Sequence, residues 1–169
     1  MEKSTATGPG FSGHAPSDLA ATVRSVVDEL GLSPYPTWHE VQARVSARFG
    51  KPLHVAALSG DEWASVTGLF LELEDAGYIF YRESDSPIYQ QHSILHEFGH
   101  ILLEDDDCRI LDELPRDLVG DSGVSGAITR AAARGLEVST TELAAEAIGY
   151  ALAERLFGSQ VLGESAFGL

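Results

Sequence analysis

The sequence predicts a single α+β domain. Three observations point there: helical periodicity at both ends of the chain, short apolar and aromatic runs separated by a turn signal in its middle, and a length of 169 residues with 44% hydrophobic content, enough for one core. Residues 1–15 are rich in Gly, Ser and Thr and lack hydrophobic periodicity, which predicts a disordered tail. Leu19, Val23, Val26, Val27 and Leu30 then fall at helical spacing, and Gly31 can close that helix. A second helix follows Pro36. Thr37 and Glu40 have capping-box spacing, Val41, Val45 and Phe49 mark the buried face, and Gly50 ends the helix before Pro52.

The middle of the chain changes period. Residues 52–58 read as a strand, and residues 66–73 and 77–82 flank Glu74-Asp75-Ala76 as the arms of a β-hairpin. Ser86 and Pro87 fit the N-cap and first position of a helix that runs to about Leu103, where the acidic run Glu104-Asp105-Asp106-Asp107 stops it. A short helical piece is expected near 125–134, and a final helix from about Thr140 to Phe157. The domain is placed at residues 16–160, with 161–169 as a C-terminal tail; no internal repeat divides it.

Composition narrows the function classes. Net charge is −15, from 26 acidic and 11 basic residues, and the only lysines are Lys3 and Lys51. A chain that neutralises phosphates needs a basic patch, so direct nucleic acid binding is not expected. No run approaches the ~20 apolar residues of a membrane span. The N-terminus carries no apolar signal segment, and the one cysteine, Cys108, cannot form an intrachain disulfide. Together these predict a cytoplasmic protein, with Cys108 a quiet thiol.

The chemistry lies in His96-Glu97-Phe98-Gly99-His100. Positions four apart on a helix stand nearly above one another, so His96 and His100 can aim both imidazoles at one ion. Glu97 lies beside such ligands rather than among them, where a carboxylate can serve as general base in metal-assisted hydrolysis. Ile94, Leu95, Phe98, Ile101 and Leu102 form an apolar stripe on the same helix, with His92, His96, Glu97 and His100 mostly off it. Gly99 costs about 1 kcal/mol against alanine inside a helix, which suggests that a backbone or a substrate approaches closely there. The bland alternative is a pair of exposed histidines on a surface helix. His92 reads as a packing residue or a support for the ligands, and His14, His39 and His54 as ordinary histidines.

A catalytic zinc site takes three protein ligands. Glu142 and Glu146 share one face of the final helix: the first could bind the metal, and the second could hydrogen-bond a ligating histidine. Against this, Ser139 and Glu142 have capping-box spacing, so Glu142 could simply cap its helix, and Glu146 could face solvent. The residue types equally accommodate Mn²⁺ or Fe²⁺. Tyr78, Tyr81, Tyr89, Tyr150 and His92 are candidates for stabilising an oxyanion, and spacing singles out none of them.

The stretch Gln91–His100, followed by Ile101-Leu102-Leu103, resembles the ImmA/IrrE family of bacterial metallopeptidases. The apolar, aromatic strand Tyr78-Ile79-Phe80-Tyr81 before it and Glu142, Ala145, Glu146, Ile148 and Gly149 after it fall in that family's register. The resemblance spans roughly residues 17–157, but only the two short motifs are specific. Gly149 stands where an alanine is usual, the stretch from His100 to Glu142 is longer than typical, and Ala153-Glu154-Arg155-Leu156 replaces a Leu-Leu-Met-Pro ending.

The resemblance implies a zincin-like fold, Zn²⁺ held by His96, His100 and Glu142, Glu146 as support, Glu97 as catalytic base, and a helix-turn-helix repressor as protein substrate. Acidic charge would steer a basic substrate, and an extended substrate segment could pair with Gly77–Arg82 as a sheet edge. Other readings are a metal-binding or regulatory module that cleaves nothing, of the kind associated with mobile elements or toxin–antitoxin pairs, and a hydrolase of small amides or esters.

Overall fold

In the computed structural model the described residues are 16–59, 68–104, 128–133 and 140–165. The expected tail at 1–15, His14, Cys108 and Ser139 lie outside them. Helices α1 (Pro16–Glu29) and α2 (Trp38–Phe49) precede β1 (Leu53–Leu58), β2 (Gly68–Leu73) and β3 (Gly77–Arg82); helix α3 (Pro87–Leu102), strand β4 (Ile128–Ala133) and helix α4 (Thr140–Ser165) follow. The α+β class is therefore as the periodicity predicted. Among the described residues no helix is long and apolar enough to cross a membrane.

Local chemistry sets most boundaries. Gly31, at φ +59°, follows α1. The Glu40 N–H donates to Thr37 Oγ1 at 3.2 Å, capping α2, and Gly50 at φ +80° closes that helix in the left-handed conformation that glycine adopts without penalty. Pro87 opens α3 after Ser86, whose side chain makes no capping bond. The hairpin turns at Glu74–Ala76, where the Leu73 N–H donates to the Ala76 carbonyl at 2.8 Å.

The sheet order is β1-β3-β2-β4, with β1 parallel to β3 and the other two pairs antiparallel. Two expectations are corrected here. Gly77–Arg82 is not an edge: β3 bonds to β1 on one side and β2 on the other, so no substrate segment can add to it. As an apolar, aromatic strand it gains most from two neighbours, and Leu53–Leu58 supplies the second. The piece expected to be helical near 125–134 is strand β4 over Ile128–Ala133. Its alanines favour a helix in isolation, but the outer backbone groups of β2 offer a ladder, and pairing there overrides the propensity.

One face of the sheet carries Leu53, Phe70 and Ile79 against the helices, with Val41 and Val45 of α2, Phe98 of α3, and Ile148 and Leu152 of α4 fully enclosed. Trp38 meets Phe98 with ring centroids 6.1 Å apart. α4 continues to Ser165, past the expected end at Phe157, so residues 161–165 of the expected tail are helical. It packs mainly along α3 and also touches α1, where Arg155 pairs with Asp28 at 3.0 Å. The link from β3 into α3 is short and tied: Arg82 pairs with Asp85 at 2.8 Å, and the Gln90 side-chain amide donates to the carbonyls of Glu83 and Asp85 at 2.9 Å each. That link fixes where the motif helix starts against the sheet.

Candidate metal centre

The motif helix is enclosed on every side from Ser93 to Leu102, so its polar residues are buried with its apolar ones. His96 is 1%, Glu97 3% and His100 6% exposed, which rules out a pair of surface histidines. Burying such groups is costly unless they find partners. For the two histidines those partners come from α4.

Helices α3 and α4 approach closely because glycine permits it. A Cβ on Gly99 would stand 2.3 Å from the Ala145 carbonyl oxygen and 2.8 Å from its Cα. The close neighbour expected at Gly99 is thus the backbone of α4. One turn along, a Cβ on Gly149 would lie 3.3 Å from the His96 nitrogen and the Leu95 carbonyl group. The seam that these two contacts define holds the titratable groups.

The Nε2 atoms of His96 and His100 are 3.0 Å apart. Glu142 Oε2 lies 3.3 Å from the first, and Glu142 Oε1 3.4 Å from the second. These three residues form a group able to hold a metal ion. Ligand atoms at 2.0–2.2 Å from a tetrahedral zinc stand roughly 3.3–3.6 Å from one another; the two Glu142 separations fall in that range, and the two histidine nitrogens, at 3.0 Å, would open by a few tenths of an ångström around such an ion. Glu142 therefore faces the histidines across the seam.

Glu146 stands one turn further along α4. Its Oε2 lies 3.0 Å from His96 Nδ1 and its Oε1 3.4 Å from His92 Nε2. An Nδ1–H donated to this carboxylate would leave the His96 Nε2 lone pair turned towards His100 and Glu142. His92 thus faces the second oxygen of the same carboxylate. Its ring also lies 5.5 Å from that of Tyr150.

The remaining candidates separate by face. Tyr78 stacks on His54 at 4.9 Å and on Phe80 at 6.2 Å, on the sheet face opposite Ile79 and Tyr81. Tyr81 pairs across the β2–β3 ladder with Gly68, on the face that meets α3. Tyr89 and Tyr150 are exposed. His39 and His54 are exposed as well, in keeping with their ordinary reading.

Gly68 escaped notice in the sequence. A Cβ there would stand 2.8 Å from Glu97 Oε1 and 3.5 Å from Glu97 Cδ and Cγ. The available signal was a glycine inside a strand pattern, which often marks a close approach by another group.

No family model, no curated protein and no solved structure matches the chain, so the family resemblance rests on the motifs themselves.

Proposed function

We propose that this chain is a zinc-dependent peptidase on a zincin-like fold, related to the ImmA/IrrE metallopeptidases. The observation that carries the reading is the convergence of His96 Nε2, His100 Nε2 and the Glu142 carboxylate on one point, with the buried Glu97 one residue along the same helix. His96, His100 and Glu142 hold the ion. Zinc supplies Lewis acidity that brings the pKa of a water towards ~7 and polarises a carbonyl.

The protein's own groups do the rest. Glu97 accepts the proton of the attacking water and returns it to the departing amine nitrogen, a role suited to a carboxylate beside the ligands but outside their set. Glu146 holds the ring of His96 and its tautomer. Enclosure of His96, Glu97 and His100 keeps bulk water from competing for these bonds. A substrate of basic character, such as a helix-turn-helix repressor, suits a chain of net charge −15. The resemblance suggests that class of protein, and the charge supports it.

Elemental analysis tests the centre directly. One zinc per wild-type chain is expected, lost from His96→Ala and from Glu142→Ala but retained in Glu97→Gln, which should no longer cleave a repressor substrate. If wild-type protein takes up no metal even when zinc is supplied, the peptidase reading falls. Occupancy by manganese or iron instead would change the ion and keep the site.

A further inference from the structure

We propose that Gly68 is a positioning residue for Glu97: by lacking a side chain at the start of β2, it provides the space in which the base carboxylate stands. The inference rests on the reading of Glu97 as the base. It starts from a glycine that has no backbone reason to be one. Among the described residues, the glycines with positive φ are Gly31 and Gly50, so Gly68 occupies a conformation open to any L-residue. Its strand is otherwise Leu-Phe-Leu-Glu-Leu, and a glycine there gives up packing that a side chain would provide.

What a side chain would meet is specific. The nearest atom to a Cβ at position 68 is Glu97 Oε1 at 2.8 Å, with Cδ and Cγ of the same residue next at 3.5 Å. The contact is with the end of a side chain, unlike the backbone contact at Gly99. A methyl group at 68 would therefore leave sheet and helix where they are, and the carboxylate would yield. Glu97 is only 3% exposed, so it cannot move into open solvent as it yields.

The two halves of the site are thus located by different neighbours. His96, His100 and Glu142 are set by α3 against α4, whereas the reach of Glu97 is set by α3 against β2. A change at residue 68 should uncouple them, leaving metal binding intact while displacing the base.

Acetohydroxamate separates these effects. It chelates zinc through its two oxygens, and its hydroxyl can hydrogen-bond to a carboxylate beside the metal. Zinc affinity would be measured by chelator competition. Acetohydroxamate affinity would be measured by calorimetry on zinc-loaded wild type, Gly68→Ala, Glu97→Gln and the double variant. Gly68→Ala should hold zinc within about twofold of wild type, the scatter expected for sites without shared partners. It should bind acetohydroxamate about tenfold more weakly, as expected when a hydrogen bond to a charged group is lost. In the Glu97→Gln background the same alanine should cost nothing further, because the group it displaces has already lost its charge.

Wild-type acetohydroxamate affinity in Gly68→Ala, or an equal loss in both backgrounds, would overturn the assignment. So would loss of zinc from Gly68→Ala, which would make the glycine a requirement of the fold. Acetohydroxamate binding indifferent to Glu97→Gln would remove the base reading itself. That result is distinguishable, because it appears before residue 68 is changed.

Discussion

Glu40 and Glu142 hold the same place in their local sequences, three residues after a hydroxyl side chain at a helix start, and their carboxylates meet partners at very different distances along the chain. Glu40 stays near its own helix. Its oxygens accept the Ser33 N–H and the Ser33 hydroxyl, each at 2.7 Å, while Thr37 caps the helix from the other direction. Glu142 reaches two histidines more than forty residues earlier. The first carboxylate belongs to a turn that a few residues complete alone. The second is defined only once α3 and α4 are in contact. Capping-box spacing therefore nominates a glutamate, and the helix packed alongside decides its use.

The contrast is broken most severely at the contact that creates the seam. Gly99→Ala gains about 1 kcal/mol of helix propensity, but its methyl meets the Ala145 carbonyl and Cα, backbone atoms that no rotamer change can move aside. Overpacking of this kind costs about 1–3 kcal/mol, and a backbone contact belongs at or beyond the upper end. A net loss of about 2 kcal/mol lowers Tm by roughly 4–8 °C in a domain of this size. Zinc affinity should fall with it, because Glu142 and Glu146 are carried away from the histidines. A Gly99→Ala protein that melts and binds zinc as wild type does would show that the two helices do not depend on this approach.

Glu146→Ala sharpens the comparison without disturbing the backbone. It leaves His96, His100 and Glu142 in place but removes the carboxylate that faces His96 Nδ1. Loss of such a partner weakens metal affinity about 10–100-fold, measurable by chelator competition. His92→Phe, which removes one neighbour of that carboxylate, should give a smaller loss in the same direction. Equal zinc affinity in wild type and Glu146→Ala would mean that the contact at 3.0 Å does not orient the ligand.

Legibility in the sequence followed the range of the interaction. Helix ends marked by Gly31, Thr37, Gly50 and Pro87 could be read because their causes lie within a few residues. His96 and His100 could be read because helical spacing alone brings them together. For Glu142 and Glu146 the spacing left two uses open, since choosing between them requires knowing that α4 runs along α3. The order of the sheet was not readable: an apolar strand such as Gly77–Arg82 fits a centre or an edge, and pairing with β1 decides it. β4 was misread because six residues rich in alanine carry little strand signal, and the edge of β2 makes them a strand. Gly68 gave no clue to its partner, which lies on a different element.

The smallest effect lies on the local side of the comparison. The Ser33 N–H and hydroxyl, bonded to the Glu40 carboxylate, hold its pKa below the usual value of 4.5. A carboxylate whose folded pKa is depressed adds stability that is fully present above its unfolded pKa and fades as the pH falls through the folded one. Glu40→Gln is neutral at every pH and keeps the shape of the side chain. The wild type should therefore melt slightly above Glu40→Gln at neutral pH, and the gap should close as the pH is lowered below about 4.5. Glu40 is half-buried and its pairing still reaches solvent, so the gap should also shrink with added salt. Glu142→Gln provides the counterpart in zinc-loaded protein: its melting difference should follow zinc concentration, because there the carboxylate's partner is the ion. A Glu40→Gln gap that depends on zinc, or a Glu142→Gln gap that does not, would undo the distinction between a carboxylate that serves a turn and one that serves a metal.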